Sequence, residues 1–482
     1  MSRHLEIERK FDVDESTVSP SFDGLAAVAR VERAPALALD AVYYDTPGRD
    51  LAVHRITLRR RTGGSDAGWH LKLPAGPDAR TEVRAPLSDD VPGELLDVVL
   101  AIVRDRPLAP VARITTNRTV DCLFGADGLA LAEFADDDVT AWADGDDDEQ
   151  RWREWELELS PYGHPDLLDR LANRLLDAGA KPAGHGSKLA RVLGSPPPQM
   201  MPADDPVHRA VAEEVENLLT WDRAVRADVD DSVHQMRVTT RKIRSLLQSS
   251  ESAFGLTDDA WVLDELRQLA SVLGIARDAE VLAQRYSTAL DELPDELVRG
   301  PVRERLVEGA RRRYRSGWRK SVAAVRSQRY FRLLDALEGL VASEPAVPEP
   351  GEGAASDTTV EAAYKRVRKH AKRADKAEVE HRDEALHRIR KGAKRLRYTA
   401  SAVGASKVSD AAKNIQSLLG DHQDSVVSRT HLSQQADAAH TAGEDTFTYG
   451  LLYEREGELA RRCREQLGAA LKALKKAVRK EL

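Results

Sequence analysis

The residues most able to do chemistry stand at the start of the chain, in Glu6-Ile7-Glu8-Arg9-Lys10. Side chains alternate across a strand, so Glu6, Glu8 and Lys10 would share one face. Two carboxylates and an ammonium cannot pack a dry core, but they can hold a metal ion beside a phosphate. The same design recurs in Glu154-Trp155-Glu156-Leu157-Glu158-Leu159, with three carboxylates on one face and Trp155, Leu157 and Leu159 on the other. Bases gather on different stretches: Arg59 and Arg61, His70 and Lys72, Arg113 and Arg118. A solvated sheet would mix signs along each strand to avoid like-charge crowding. Strands sorted by sign make sense when their charged faces line a shared interior occupied by ions of both signs. Clustered carboxylates suit Mg²⁺ or Mn²⁺, and arginine and lysine suit a triphosphate. A metal held there would offset phosphate charge and activate water. The competing interpretation is a barrel held by internal salt bridges, a costly design for structure alone because buried ion pairs add little over an apolar core. Arg113 and Arg118 differ in parity, so both face inward only across a bulge.

A second constellation lies further along. His234-Gln-Met-Arg237-Val-Thr-Thr-Arg241-Lys242-Ile-Arg244 is echoed by His387-Arg-Ile-Arg390-Lys-Gly-Ala-Lys394-Arg395-Leu-Arg397 at a constant offset. Apolar positions follow, with Val233, Met236, Thr240, Ile243 and Leu247 matching Leu386, Ile389, Ala393, Leu396 and Ala400. Leu266, Leu269, Leu273-Gly274 and Asp278 match Ala412, Ile415, Leu419-Gly420 and Asp424. Each basic set is spaced so that His234, Arg237, Arg241 and Arg244, or His387, Arg390, Lys394 and Arg397, share one helix face. Two such helices brought together by pseudo-twofold symmetry would line a groove for an extended polyanion. A single stripe of this kind is ordinarily a solvated flank; its repetition with the same residue types points to anion binding. Aromatic residues for base stacking are missing from both stripes, so polyphosphate fits better than nucleic acid.

The elements that must position these residues follow from periodicity. Strands are expected at 5–11, 35–44, 55–61, 69–73, 80–84, 110–120, 129–134 and 154–159, and helices at 95–103 and 166–178. Arg55 is expected to share the inward face of its strand with Thr57, Arg59 and Arg61. Asp136-Asp137-Asp138 is expected to follow a strand, and 143–150 to be an acidic loop. Ser195-Pro196-Pro197-Pro198 starts a semi-rigid linker over 195–204. From Val207 onward the pattern is helical, interrupted by a Pro/Gly-rich loop from Pro345 to Asp357. The expected fold class is α+β: an antiparallel β-barrel tunnel over 1–194, then an all-α region over 205–482 in two pseudo-symmetric bundles, about 205–342 and 358–482.

The chain has 482 residues, 32% charged and 41% hydrophobic, with net charge −8. That length exceeds one core. The net charge conceals acidic runs near 133–158 and basic runs near 303–320 and 361–397. Cys122 and Cys463 imply no disulfide framework. With no leader pattern and no apolar run of ~18 residues, a cytoplasmic location is expected. His4, His54 and His70 have no metal-ligand spacing, and His70 is a candidate for the tunnel wall.

On Glu6-x-Glu8-x-Lys10, with Arg59/Arg61, Lys72, Glu82, Arg113, Arg118, the Glu154/Glu156/Glu158 strand and Lys188, residues 3–194 resemble a CYTH domain of the triphosphate tunnel metalloenzyme superfamily. The resemblance implies an eight-stranded antiparallel barrel that cleaves triphosphate-containing substrates. It implies catalytic Glu6, Glu8, Lys10, Glu156 and Glu158, with Glu6, Glu8, Glu156 and Glu158 on metal. Lys10, Arg59, Arg61, Lys72, Arg113, Arg118 and Lys188 would bind phosphates, and Glu133 and Asp136 fall where the family places further acids. Residues 205–482 resemble a CHAD domain through His234 and His387 with their basic followers, a family associated with polyphosphate. The order CYTH then CHAD is similar to bacterial inorganic triphosphatases. Three functions follow: a Mg²⁺- or Mn²⁺-dependent triphosphatase whose helical region binds polyphosphate; a non-catalytic polyphosphate-binding protein; and an adenylate cyclase, ranked lower because nothing reads an adenine.

Overall fold

A computed structural model describes residues 2–145, 148–194, 205–250, 254–256, 260–343 and 360–481. The expected linker at 195–204 and the loop from Pro345 to Asp357 lie outside the described residues, as do positions 146 and 147 of the acidic loop.

Among the described residues ten antiparallel strands form one sheet: β1 Ser2–Val13, β2 Arg30–Arg33, β3 Leu37–Asp45, β4 Thr57–Thr62, β5 Gly68–Pro74, β6 Ala79–Ala85, β7 Ala109–Phe124, β8 Ala130–Ala143, β9 Gln150–Leu159 and β10 Lys181–Pro182. Eight close a barrel in the order β1-β6-β5-β4-β3-β7-β8-β9, because β9 pairs back onto β1. β1 makes the closure by changing partner midway. Residues 2–7 pair with β6, and residues 8–13 pair with β9. The Glu6-x-Glu8-x-Lys10 face therefore sits where the base-bearing and acid-bearing walls join.

Much of the barrel's apolar core lies outside the wall, while a smaller cluster of Ala41, Tyr43, Ile114, Val139 and Ala141 packs with Leu189 and Val192 on the inner side. Trp155, Leu157 and Leu159 pack with Leu167, Leu168, Leu171 and Leu175 of the Pro165–Asp177 helix. Leu58, Trp69, Leu71 and Val83 pack beneath Leu95, Val99, Ile102 and Val103 of the Gly93–Val103 helix. Burying each such side chain contributes about 1.5–3 kcal/mol, so the helices stabilise a wall much of whose inner face stays polar.

Several local expectations change. Arg55 precedes β4 in the left-handed region at φ 56°, so the inward face of that strand begins at Thr57. The acids Asp136, Asp137 and Asp138 lie inside β8, which runs to Ala143. At the β4–β5 turn, Gly63 and Gly64 have φ of 83° and 73°, and a Cβ on Gly63 would meet the Ala38 carbonyl at 2.1 Å. Only glycine satisfies both demands.

The rest is helical, with helices Pro206–Arg226, Ser232–Ser249, Trp261–Asp291, Gly309–Val325, Gln328–Ala342, Val360–Ala374, Arg382–Ala402, Ser406–Thr441 and Phe447–Glu481. Among the described residues no helix is long and apolar enough to cross a membrane. The paired apolar positions of the repeat are buried in both copies, Val233, Met236, Thr240, Ile243 and Leu247 as well as Leu386, Ile389, Ala393, Leu396 and Ala400. Two compact units arise: Met1–Ala270 with Ser321–Pro345, and Ser271–Lys320 with Ala346–Leu482. The first unit includes the barrel and neighbouring helices. Within it Arg104, buried, holds Asp335 and Glu338, and Arg326 lies 2.5 Å from Asp97.

Candidate active site

Strand pairing fixes the inner face of the barrel. Across β1–β9, Glu8 stands opposite Glu158, Lys10 opposite Glu156, and Asp12 opposite Glu154. Across β8–β9, Glu158 stands opposite Glu133 and Glu154 opposite Asp137. Glu8, Glu158 and Glu133 thus form one row of carboxylates over three strands. On the other side Arg59 faces His70, Thr57 faces Lys72, and Lys72 faces Glu82. One cavity is lined by Glu6, Glu8, Lys10, Arg59, Arg61, Lys72, Arg118, Glu156, Glu158 and Lys188, together with His4, Tyr43, Asp66, Arg80, Glu82, Arg84 and Glu133.

Ten of the eleven charged residues expected at the tunnel from the sequence come together in it. The eleventh, Arg113, does not. It lies on the outer face, exposed and paired bidentately with Asp40 at 3.0 and 2.6 Å. β7 is regular from Ala112 to Leu123 against β8, so no bulge rescues the parity conflict with Arg118. Asp136 also faces outward, held by Arg153 at 2.8 and 2.6 Å, while Asp137 faces in. Arg80 and Arg84 flank Glu82 in the expected strand 80–84, and that spacing alone places all three on one face, but the sequence reading gives the two arginines no role in the bore. Asp66 carried no signal, because a turn residue has no strand parity.

Most of these charges are paired. Lys10 Nζ lies 2.8 Å from Glu8 and 2.9 Å from Glu156, and Lys72 Nζ lies 2.6 Å from Glu6. Arg118 grips Asp137 at 2.7 and 2.6 Å and reaches Glu156 at 2.5 Å. Lys188 is nearly buried and sits 2.8, 2.7 and 2.7 Å from Asp137, Glu154 and Glu156. At Glu8, Glu156 and Lys188 burial opposes the charge, but the partners prevail. Glu8 falls to about 2 beside Lys10 and Lys72. Glu156 is held well below the usual carboxylate range by Lys10, Lys188 and Arg118. Lys188 is raised well above the ordinary lysine value by Asp137, Glu156 and Glu154.

Two groups are not compensated. Glu158 has no ion-pair partner among the described residues, and burial, reinforced by Glu6, pushes its carboxyl up to about 7. Arg59 is likewise without a carboxylate partner among the described residues. It donates only to Tyr43 Oη at 3.2 Å, and its Nε is buried without a hydrogen bond. Its neighbour Arg61 is pulled down to about 9 by burial, then by Arg59 and Arg118. The tunnel therefore contains a carboxylate wanting a cation, Glu158, and a guanidinium wanting an anion, Arg59, the latter crowded by Arg61 and Arg118.

Acidic clusters able to hold a metal are present: His4/Glu6/Glu82 and Asp137/Glu154/Glu156 each bring ligand atoms within 4.8 Å of one another. The second already surrounds the Lys188 ammonium. The first is bounded by Arg84, which bonds Glu82 and lies 3.7 Å from Glu6. The oxygen donors of the Glu8–Glu158–Glu133 row suit a hard divalent cation, and the unpaired Glu158 is the buried acid that would gain most from one.

In the helical region each stripe occupies one helix. His234, Arg237 and Arg244 are half-buried and Arg241 is exposed; His387, Arg390, Lys394 and Arg397 are half-buried. Arg237 donates to the Ala270 carbonyl at 3.2 Å, and Arg397 to Gln416 at 3.2 Å. Burial, Lys391 and Arg390 depress the pKa of His387. A further cationic face lies outside the repeat: Lys365, Arg368, Lys369, Lys372 and Arg373 of the Val360–Ala374 helix, with Asp375 and Lys376 just beyond its end, line one concavity.

The closed barrel with its charged bore, followed by the helical repeat, defines the class: the chain belongs to the family carrying a CYTH domain, matched over residues 4–178, followed by a CHAD domain, matched over residues 209–433. The uncharacterized protein Rv2226 of Mycobacterium tuberculosis is 68% identical, over 99% of this chain and 98% of that one. Among solved structures, the CHAD domain of Ricinus communis is 22% identical over 57% of this chain and 94% of its own, with a TM-score of 0.42. The Hippeastrum chain HpAC1, reported to have a dominant triphosphatase activity, is 15% identical over 40% of this chain and 97% of its own, with a TM-score of 0.25.

Proposed function

We propose that this chain is a Mg²⁺- or Mn²⁺-dependent phosphoanhydride hydrolase acting on inorganic triphosphate or a related triphosphate in the barrel, with polyphosphate bound by the helical region. The observation that carries this reading is the opposed pair of uncompensated groups in one bore, Glu158 on the acidic wall and Arg59 on the basic wall.

Arg59, Arg61 and Arg118 would take phosphate oxygens and fix the chain of phosphates along the bore. Lys10 and Lys72 hold the Glu8 carboxyl down to about 2, and Lys72 pairs with Glu6 at 2.6 Å. Glu6, Glu8, Glu156 and Glu158 remain the proposed metal ligands, with Glu133 completing the row; Glu156 already shares three cations, so the weight falls on Glu158 and Glu8. A bound divalent ion supplies charge neutralisation and water activation. The enclosing wall excludes bulk water, which strengthens each charge–phosphate contact. In the helical region Arg237, Arg241, Arg244, Arg390, Lys394 and Arg397 supply phosphate-binding groups, with His234 and His387 beside them.

Phosphate release from tripolyphosphate, measured with Mg²⁺ or Mn²⁺ and with chelator, tests the activity. Metal-dependent release by the wild type, lost in Glu6→Ala and Glu8→Ala, is expected. Binding without release favours the second reading, a polyphosphate-binding protein, for which the lysine-occupied state of Glu6 and Glu8 speaks.

A further inference from the structure

The hairpin between β4 and β5 carries an acid that neither the metal nor the phosphate role uses. Asp66 lines the cavity beside Ser65, and its carboxylate is bonded to the Arg61 guanidinium. Arg61 is almost fully buried, and its Nε has no hydrogen-bond partner. The hairpin is fixed at both ends. Gly63 and Gly64 set its turn at positive φ, and the Asp66 carbonyl lies 2.9 Å from His70 Nε2. His70 Nδ1 in turn lies 2.9 Å from Glu82 Oε1. Both neighbours of the imidazole are acceptors. The imidazole lies between these two oxygens and ties the hairpin tip to the wall.

The Asp66 carboxylate thus already holds one of the guanidinium groups of the bore, Arg61. We infer that Asp66 is a built-in competitor for substrate: it neutralises Arg61, and a phosphate must displace its carboxylate to engage that arginine. The inference rests on the triphosphate reading of the tunnel. Its consequence is selectivity. An anion with enough charge to replace Asp66 gains Arg61, whereas a weakly charged one faces a carboxylate and an arginine already satisfied. A merely structural role for Asp66, orienting Arg61 toward substrate, predicts the opposite sign when the charge is removed.

Calorimetric titration with sodium tripolyphosphate in chelator, where no turnover occurs, distinguishes these when the full chain, with or without the Asp66 change, also carries Arg237→Ala, Arg241→Ala, Arg390→Ala and Lys394→Ala to remove uptake by the helical region. Asp66→Asn should lower the Kd about fivefold, the scale expected for freeing one partly exposed ion pair. Asp66→Ala, which leaves the Asp66 carbonyl bond to His70 in place, should tighten binding in the same direction. Unchanged or weaker binding in both variants, with binding by the Asp66 parent intact, overturns the competitor role alone. No tripolyphosphate uptake by that parent overturns the tunnel reading beneath it.

Discussion

Lys10 stands directly opposite Glu156 in the β1–β9 ladder, and its ammonium lies 2.9 Å from that carboxylate and 2.8 Å from Glu8. Two acidic motifs separated by nearly the whole barrel sequence are joined by one lysine. This is the contact that closes the barrel chemically as well as topologically. It also explains why β1 must alternate charge: its inner face serves the β6 wall over its first half and the β9 wall over its second.

An inward and an outward arginine, Arg59 and Arg113, make a paired test. Arg59→Ala removes an uncompensated buried guanidinium, and loss of a charge-assisted bond costs about 1.5–3 kcal/mol. That should raise the KM for tripolyphosphate roughly 10- to 150-fold. Arg113→Ala removes an exposed pair with Asp40 and should leave KM within about twofold. Steady-state phosphate-release kinetics on both variants check this, and equal effects would contradict the inward assignment of Arg59.

Much of this arrangement was legible in the sequence because a barrel wall obeys a period of two. Glu6, Glu8 and Lys10, then Glu156 and Glu158, then Arg59, Arg61 and Lys72 each declared a face by alternation against apolar neighbours. Alternation fails where every position is polar. In Asp136-Asp137-Asp138 no apolar residue marks the outer face, and only the Arg118–Asp137 and Arg153–Asp136 pairs show which acid turns inward. Arg113 differs for a related reason: its residue type suits the bore, but its parity puts it on the outer face with Asp40. The apolar repeat of the helical region was legible through matching core positions, all buried in both copies. The grouping of helices with the barrel was not, since it depends on single long-range pairs such as Arg104 with Asp335 and Glu338.

Glu158 should make stability depend on pH. Its folded value near 7 lies above the ordinary 4.5, so the native state binds a proton that the unfolded chain has released. Stability from this group is full at low pH and declines as pH rises from about 4.5 through about 7. Glu158→Gln removes the decline. Thermal melting without metal should give the variant a higher Tm than wild type at about pH 8, with the two converging toward about pH 5. Added Mn²⁺ should raise the wild-type Tm at pH 8 and leave the variant nearly unmoved. A lower Tm for the variant at pH 8 would contradict the unpaired state of this carboxylate.

The apolar core outside the wall makes a separate prediction about stability. Leu71 is fully buried under the Gly93–Val103 helix on the outer side of the wall. Leu71→Ala should cost about 2–5 kcal/mol by cavity formation, seen as a lower urea midpoint for the barrel. Thr116→Val, facing the bore between β3 and β8, should change that midpoint far less.

For the helical region, replacing Arg237, Arg241, Arg390 and Lys394 together with alanine should lower affinity for long-chain polyphosphate by at least ~30-fold at moderate salt. Tripolyphosphate hydrolysis in the barrel should persist. Undiminished polyphosphate affinity would move the binding surface elsewhere, the Lys365–Lys376 face being the next to test.

The most direct test of the tunnel is a crystal structure of the full chain soaked with tripolyphosphate and Mn²⁺. Phosphate oxygens against Arg59, Arg61 and Arg118, with anomalous manganese density touching Glu158 and Glu8, are predicted. Tripolyphosphate bound outside the barrel, or manganese absent from the Glu8–Glu158–Glu133 row, would contradict the account.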